Sequence, residues 1–285
     1  MKDFVYHKAD NLPEAVALNA AYPDYPPLAG GTDLIVQWRS GIRKLDGVVD
    51  ISCVDELKRI YDEKKEIEIG ACATHSDIIG NAAVKKHLPL LVQACMSIGA
   101  TQIQNRGTIG GNIMNASPAG DALPVLLIYD AEMLLQNVKG ERWVPVRDFF
   151  KSYRETALES GELLAKIRFP KRDFFDYRGA YYKIGTRRAQ AISKVSMCVM
   201  ASVSHGAIKD IMISLGSMAP VPVRARGTEA LLKGKVIDDN LIHTAERSLA
   251  DEFNPIDDVR STAQYRSYVC GALIVKFLRE SRIKK

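Results

Sequence analysis

The sequence predicts an α+β protein built from two domains. Its 285 residues, of which 47% are hydrophobic, are enough to form packed cores in two modest domains or in one large one. Stretches with the two-residue period of strands and stretches with helical periodicity both occur, and no internal repeat is visible. A charged, proline-containing stretch at residues 170–176 predicts the boundary, which gives a first domain over residues 1–172 and a second over residues 173–285.

The first 55 residues are predicted to form a β-α-β unit. A helix is expected over residues 11–20, because Asn11 is suited to capping its N-terminus and Pro13 to its first turn. A short extended piece follows. Beyond it we expect a second helix over residues 34–40 and a strand over residues 48–51.

The rest of the first domain combines strands, a helix and one long irregular segment. Residues 99–124, with the sequence GATQIQNRGTIGGNIMNASPAGDALP, show little periodicity and are predicted to form a loop. Loops of that length inside a compact domain are usually functional. The other predictions are a strand at 66–71, a helix at 89–98, a hairpin of 131–137 with 142–146, and a strand at 163–169.

The second domain is predicted to pair two strands and to end in two helices. The strands cover residues 195–203 and 208–215 and are joined by a turn at His205-Gly206. One helix covers residues 239–250, and the last one begins at Ser261 with a capping-box pattern. The apolar face of that last helix is predicted from Tyr268, Ala272, Val275 and Leu278.

Composition and motifs exclude several classes of protein. The net charge of +5 is small and dispersed, which argues against nucleic-acid binding. No apolar run reaches the roughly 20 residues that a membrane helix needs, and Met1–Phe4 opens no signal sequence. The five cysteines are odd in number and lack ligand spacing, so we predict a reducing cytoplasm, no disulfide framework and no zinc or iron–sulfur site. Motifs for a nucleophilic serine, a zinc protease and a P-loop are missing, so in an enzyme of this sequence a cofactor would carry the chemistry.

Two loops share one composition, AGGTD at residues 29–33 and TIGGN at residues 108–112. Glycines let backbone N–H groups converge on an anion, and hydroxyl and amide side chains add donors. The first loop also opens a helix, capped by Thr32 or Asp33, whose N-terminus favours negative charge. Either loop alone is typical of an ordinary tight turn. Together, the two loops predict a site that grips a pyrophosphate from both sides.

Five further residues allow both a structural and a functional interpretation. Asp121 is suited to capping the helix that follows it or to accepting hydrogen bonds from a ribose. Lys183 is either a surface lysine on a strand or a site residue, and the pair Arg187-Arg188 either surface charges or anion contacts. Ile192 is more typical of a core than of a cofactor contact.

The motifs PLAGGTDLI and TIGGNIMNASPAGD resemble the two FAD-binding motifs of the flavoprotein component of molybdenum hydroxylases. That family includes xanthine dehydrogenase and carbon monoxide dehydrogenase. The similarity covers nearly the whole chain, because ELLAKIRFP, YYKIGTRRAQAISKVS and TAQYRSYVCGALIVKFL follow in the family's order. The resemblance implies a two-lobed FAD-binding domain of the vanillyl-alcohol-oxidase (PCMH) type, with lobes at about 1–55 and 56–172. A smaller α+β domain of the carbon monoxide dehydrogenase flavoprotein C-terminal type would follow.

The resemblance also implies a set of cofactor-binding residues. The FAD pyrophosphate would be wrapped by Leu28, Ala29, Gly30, Gly31, Thr32, Asp33, Leu34 and Ile35, and by Thr108, Ile109, Gly110, Gly111 and Asn112. Asp121 would contact the ribose or adenine side, and Leu164 would present its backbone to the cofactor. Towards the flavin ring the same matching puts Ile98, Lys183 at the polar edge, and Ile192 over the ring. Gln190 departs from the acidic residue of some relatives, which alters the charge expected where NAD⁺ would bind.

The implied function is that of one subunit in an electron-transfer complex. Molybdopterin would belong to a large partner subunit and [2Fe–2S] clusters to a small one, with FAD in this chain and NAD⁺ or another molecule as the final acceptor. The complex would be a dimer of heterotrimers, and RRAQAISKVS favours xanthine, another purine or a related N-heterocycle as substrate. Two alternatives are a stand-alone FAD-dependent oxidoreductase of the same superfamily and a scaffold subunit without flavin.

Overall fold

The computed structural model describes residues 4–174 and 176–283, and within them it confirms the α+β class. Two parts of the predictions lie outside the described residues. They are Met1 to Asp3, where no signal sequence was predicted, and Phe175, within the predicted boundary stretch. None of the helices in the described ranges is both long enough and apolar enough to cross a membrane.

The first lobe is built on a parallel sheet with the strand order β1-β3-β2. Asn11 caps its first helix, where the side-chain oxygen accepts the N–H of Glu14 at 2.9 Å, as predicted. The buried amide of Asn19 donates to the carbonyl of Glu162 at 3.1 Å and so ties this lobe to the next. The elements are β1 (Val5–Lys8), α1 (Leu12–Ala21), β2 (Pro27–Leu28), α2 (Leu34–Arg39) and β3 (Gly47–Asp50).

The second lobe is an antiparallel sheet, of order β4-β5-β10-β6-β7, with helices on one face. A 3-10 turn at Asp55–Leu57 leads into it. The strands are β4 (Ile60–Asp62), β5 (Glu66–Gly70), β6 (Glu132–Asn137), β7 (Gly140–Pro145), β8 (Phe150–Ser152), β9 (Glu155–Thr156) and β10 (Leu163–Pro170). The helices are α3 (His75–Gly80), α4 (Ala82–His87), α5 (Pro89–Met96), α6 (Thr101–Gln104), α7 (Ile109–Met114), α8 (Leu123–Ile128) and α9 (Val146–Phe149).

The C-terminal region is an antiparallel sheet of order β11-β12-β13-β14 that is covered by helices. His205 and Gly206 both have positive φ, which suits the predicted tight turn between β12 and β13. The elements are β11 (Tyr177–Ile184), β12 (Val195–Ser204), β13 (Ala207–Gly216), β14 (Val223–Arg224), α10 (Arg226–Leu232), α11 (Asp239–Asp251) and α12 (Ala263–Ile283).

Strand β12 is buried on both faces and so joins two hydrophobic cores. Val195, Met197 and Val199 pack with α10, α11 and α12, whereas Cys198 and Met200 pack with the helices of the second lobe. This alternation follows from the two-residue period of a strand. The core of the second lobe therefore extends onto β12, which lies beyond the predicted boundary between residues 172 and 173. That boundary stays a prediction.

Two local predictions are wrong. The segment 99–124 is not a loop throughout, because the short helices α6 and α7 lie within it. The last helix begins at Ala263, and Thr262 caps it by accepting the N–H of Tyr265 at 3.2 Å. Of the residues predicted for its apolar face, Leu278 is fully buried and Val275 packs against the core, whereas Tyr268 is 68% exposed. The other core residues of this helix are Val269, Cys270, Leu273, Ile274 and Phe277.

Candidate functional site

The two glycine-containing segments meet where the first lobe touches the second. A Cβ added to Gly30 would lie 1.8 Å from the carbonyl oxygen of Arg106, and one added to Gly107 would lie 3.2 Å from Oγ1 of Thr32. Glycine at these positions therefore allows the backbones of the two lobes to touch. We call this region the interlobe contact, formed by residues 29–33 and 106–108.

The first loop leaves backbone donors free. Among the described residues, the N–H groups of Gly31, Thr32 and Asp33 find no protein acceptor. Gly31 has a φ of +70°, a conformation that glycine adopts without strain. The predicted side-chain cap of α2 is not formed, because the Asp33 carboxylate accepts the side-chain amide of Gln37 instead. Free N–H groups beside a helix start suit an anionic ligand.

The second loop differs, and here the predicted convergence of backbone donors is wrong. The N–H groups of Ile109, Gly110 and Asn112 donate to the carbonyls of Ala73, Ala71 and Thr108 at 2.9–3.0 Å. The N–H of Gly111 donates to the Thr108 hydroxyl at 3.0 Å, because Thr108 caps α7. What this loop offers a ligand is the exposed backbone of Gly111 and the Asn112 side chain, whose buried Oδ1 has no partner among the described residues.

His75 lies directly beneath the interlobe contact. Its backbone N–H donates to the carbonyl of Gly107 at 3.0 Å, and the residue is 2% exposed. Nδ1 is buried without a partner among the described residues. Burial lowers the pKa of the His75 imidazole to about 4, so the folded protein keeps this ring neutral at physiological pH.

We expect His75 to make stability fall as the pH drops from 6.5 towards 4. The unfolded chain binds a proton at His75 near pH 6.5, whereas the folded chain does so only near pH 4. The stability lost over that window amounts to about 3 kcal/mol. A His75→Phe variant, which removes the unpaired nitrogen, should have a flatter pH dependence in urea unfolding. An unchanged slope would show that other groups cause the loss.

A buried polar cluster lies around Asp121, which is 8% exposed. Its carboxylate accepts the Lys183 ammonium at 2.6 Å, the Ser193 hydroxyl at 2.5 Å and the Tyr181 hydroxyl at 3.4 Å. Burial raises the pKa of the Asp121 carboxyl, and the Lys183 ammonium and the hydroxyl donors oppose that shift. The interpretation of Asp121 as a helix cap is wrong, because Ala122 occupies that position on α8.

Other predicted residues are gathered around this cluster. The Lys183 ammonium also donates to the carbonyl of Ser97 at 2.9 Å, next to the buried Ile98. The N–H of Gln190 donates to the carbonyl of Gly99 at 3.1 Å, and Ile192, two residues further on, is 55% exposed. Residues 97–99, 121, 183 and 190–193 therefore form one region, which we call the Asp121 cluster.

Leu164 and Arg187 both make contacts within the protein and are not free to face a ligand with their side chains. Leu164 is buried in β10 beside a bulge, where the carbonyl of Ala165 accepts the N–H of Ala71 at 3.0 Å. Since Ala71 also contacts Gly110, Leu164 lies close to the second glycine loop. The Arg187 guanidinium donates to the carbonyls of Ala189 and Gln190 and so stabilises its own loop.

Several residues of both regions were not identified as site residues from the sequence. Ser97, Tyr181 and Ser193 had no pattern that marked them, because they meet Asp121 and Lys183 only through tertiary contacts. Gly107 could have been found, since it extends the second motif to a third glycine. His75 is a lone histidine and gave no signal.

The two regions together suit one extended ligand. The segment 99–121 joins them. Free backbone donors lie at the interlobe contact, the unpaired Oδ1 of Asn112 follows four residues after it, and a buried ion pair lies at the Asp121 cluster. Donors for phosphate at one end and fixed charges at the other fit a dinucleotide such as FAD.

Comparison with known proteins is consistent with this geometry. Residues 2–172 match the sequence profile of a family described as the FAD binding domain in molybdopterin dehydrogenase. Residues 180–281 match the profile described as the CO dehydrogenase flavoprotein C-terminal domain. These matches confirm the predicted architecture, in which an FAD-binding domain is followed by a C-terminal domain of that flavoprotein type.

Individual relatives match over almost their whole length. The chain is 33% identical to the glyceraldehyde dehydrogenase medium chain of Sulfolobus acidocaldarius, over 98% of each chain. It is 29% identical to the xanthine dehydrogenase FAD-binding subunit of Escherichia coli O157:H7, over 99% of this chain and 97% of that one. A solved structure of carbon monoxide dehydrogenase from Hydrogenophaga pseudoflava superposes with a TM-score of 0.91 at 30% identity, over 98% of each chain.

Proposed function

The chain belongs to the FAD-binding medium subunits of the molybdenum hydroxylases, and we propose that it receives electrons from the [2Fe–2S] clusters of a partner subunit and delivers them to NAD⁺ or another acceptor. Its cofactor is FAD, which when bound accepts and donates electrons singly or in pairs. Molybdopterin and the iron–sulfur clusters would belong to the large and small partner subunits. The contact between the two glycine loops across the lobes carries this proposal.

At the interlobe contact, this chain's backbone would hold the pyrophosphate. The free N–H groups of Gly31, Thr32 and Asp33 supply hydrogen-bond donors, and residues 28–35 surround them. From the second lobe, the NH2 group of Asn112 would donate to the pyrophosphate, while its buried Oδ1, which has no partner among the described residues, could accept only from a hydroxyl or N–H of the ligand. Gly111 leaves room because it has no side chain. Thr108, Ile109 and Gly110 would act indirectly, because their polar groups fix α7 in place.

Because the Lys183 ammonium contacts the Asp121 carboxylate at 2.6 Å, both side chains would lie at the same end of FAD. We place that end at the flavin, and not at the ribose or adenine side expected for Asp121. Ile98 and Ile192 would provide apolar contact there, whereas Leu164 would present its backbone beside the second glycine loop. Lys183 would lie near the polar edge of the ring. Its charge is largely offset by Asp121 at 2.6 Å, so the pair acts on the ring as a dipole instead of a free cation.

The substrate would be chosen in another subunit. The motif RRAQAISKVS supports a purine such as xanthine or a related N-heterocycle as our proposal. The matched relatives are named for glyceraldehyde, xanthine and carbon monoxide, so similar medium chains serve different substrates. We further propose a dimer of heterotrimers in the cytoplasm, with NAD⁺ as a candidate acceptor.

A visible spectrum of the purified chain tests the central proposal. We expect the absorption bands of oxidised flavin, with close to one FAD per chain after incubation with FAD and gel filtration. A colourless protein would contradict the proposal and favour the flavin-free scaffold. Steady substrate turnover by the isolated chain would instead favour a stand-alone oxidoreductase, because the relay requires the partner subunits.

A further inference from the structure

The loop 185–194, which joins β11 to β12, is a compact unit. Arg187 donates to the carbonyls of Ala189 and Gln190 within it. Gly185 allows the loop to close on itself, since a Cβ there would lie 2.9 Å from Cβ of Ala191. A loop with its own internal bonds moves as one piece, so its position depends on a few external anchors.

Two of these anchors lie at the Asp121 cluster. They are the bond from the Gln190 N–H to the Gly99 carbonyl and the bond from the Ser193 hydroxyl to Asp121. At the base of the loop the Ser217 hydroxyl donates to the Ser193 carbonyl at 3.2 Å, and the Lys194 N–H donates to the Ile184 carbonyl at 2.8 Å. A further anchor lies on Lys194 itself. Its carbonyl accepts the Arg266 guanidinium, and its ammonium lies 4.9 Å from the ring centre of Tyr265. The first turns of α12 therefore hold Lys194 from two sides.

Arg266 joins three separate segments of the chain. It is 3% exposed, and besides Lys194 it donates to Asp258 at 2.7 Å and to the carbonyl of Ser217 at 3.4 Å. Asp258 is itself fixed by the N–H groups of Arg260 and Ser261. Although burial opposes it, these N–H groups and the guanidinium hold the pKa of Asp258 below its ordinary value, so the pair is ionised.

The planar fork of arginine is needed for this arrangement. Two of its nitrogens reach a carboxylate and a carbonyl in different directions, which a lysine ammonium cannot reproduce at the same positions. Burying a guanidinium costs several kcal/mol, and Nε has no partner among the described residues. The stability of the helix alone does not require such a residue.

We propose that Arg266 is a positioning residue of the flavin site, which fixes Lys194 and thereby holds the loop 185–194 against Gly99 and Asp121. The inference rests on the proposed function, because Lys183, Gln190 and Ile192 lie beside the flavin only if FAD binds as proposed. Without Arg266, the base of the loop loses its hold on the Lys194 carbonyl, while the bonds from the Lys194 N–H to the Ile184 carbonyl and from the Ser217 hydroxyl to the Ser193 carbonyl remain, and the glycine loops stay intact. FAD should then still bind, but with an altered environment for its ring.

Three variants of the full chain test this role. Arg266→Met removes the fork, and Arg266→Lys keeps the charge but not the geometry. The matched control is Arg224→Met, because Arg224 is also a buried arginine in an ion pair. Its guanidinium contacts Glu229 at 2.7 Å and the Leu127 carbonyl at 3.4 Å within the described part of the chain.

The first measurement is the rate of tryptic cleavage after Arg187 and Arg188, without added FAD. Loss of the charged hydrogen bonds should make Arg266→Met about tenfold more sensitive than wild type, with Arg266→Lys between them. Arg224→Met should be cleaved there at the wild-type rate. Wild-type cleavage in Arg266→Met, or equal sensitivity in Arg224→Met, would overturn the anchoring role.

The second measurement is the visible circular dichroism of FAD at saturating concentration. A changed flavin spectrum in both Arg266 variants, but not in Arg224→Met, is the expected result. An unchanged spectrum together with faster cleavage would show that Arg266 anchors the loop without positioning the flavin, which overturns the inference. If the wild-type chain binds no FAD, the proposed function fails, while the tryptic measurement still decides the anchoring.

Discussion

Gly30→Ala is expected to weaken FAD binding about a hundredfold while leaving both lobes folded. The new methyl carbon would lie 1.8 Å from the carbonyl oxygen of Arg106, which is backbone of the other lobe and cannot rotate away. Relief requires the two lobes to separate by about 1 Å or more, and overpacking of this kind costs about 1–3 kcal/mol. Because the strain sits between the lobes, it reduces the affinity for a ligand that both lobes must hold.

Two other glycines separate this effect from general damage. Gly80→Ala adds the same methyl group at the end of α3 and should behave like wild type. Apart from its chain neighbours and the backbone of its own helix, no atom of the described residues lies within 4 Å of that position. Gly110→Ala would bring its Cβ within 2.5 Å of the Ala71 carbonyl oxygen, inside the second lobe. It should therefore lower the unfolding temperature itself, which Gly30→Ala should do only slightly.

Fluorescence titration with FAD and thermal unfolding without FAD measure the two effects separately. Wild-type affinity in Gly30→Ala would show that the interlobe contact does not control FAD binding. A large loss of thermal stability in Gly30→Ala would show that the strain lies within one lobe and not at the interlobe contact.

Local signals in the sequence were enough to predict much of the fold. Asn11 and Pro13 mark the start of α1 through short-range chemistry, and the alternation in β12 shows a strand without any knowledge of its partners. The two glycine motifs likewise lie in or next to segments that the fold brings together. In each case the information lies within a few residues of the feature that it determines.

Features set by tertiary contacts could not be predicted in the same way. The apolar residues of α12 fit more than one stripe with helical spacing, and the packing against β12 and α11 selected the stripe with Phe277, which left Tyr268 exposed. The donors of the second glycine loop are used because Ala71 and Ala73, far away in sequence, lie beside them. Ser193 and Arg266 stand in polar segments whose composition does not reveal their burial.

Asp121→Ala is expected to destabilise the protein by about 3–5 kcal/mol, because it leaves a buried ammonium without its counter-ion. The Lys183 side chain is 12% exposed and, within the described part of the chain, would retain only the Ser97 carbonyl as a partner. Lys183→Met should cost less, since the hydroxyls of Ser193 and Tyr181 still donate to the remaining carboxylate. The double variant Asp121→Ala with Lys183→Met should be more stable than Asp121→Ala alone. Urea unfolding of the four proteins measures the free energies of this double-mutant cycle.

A second cycle, with Asp121→Asn in place of Asp121→Ala, tests the electrostatic role of the pair at the flavin. Reduction adds negative charge near the ring, so an unpaired Lys183 in Asp121→Asn should raise the midpoint potential, and an unpaired Asp121 in Lys183→Met should lower it. Each 1.4 kcal/mol of unbalanced interaction corresponds to about 30 mV in a two-electron couple. Because the ion pair of 2.6 Å has no net charge, the double variant Asp121→Asn with Lys183→Met should return close to the wild-type potential. Shifts of the same sign in both single variants would mean that the pair acts through structure and not through charge, and an unchanged potential in Lys183→Met would mean that Lys183 does not lie near the ring.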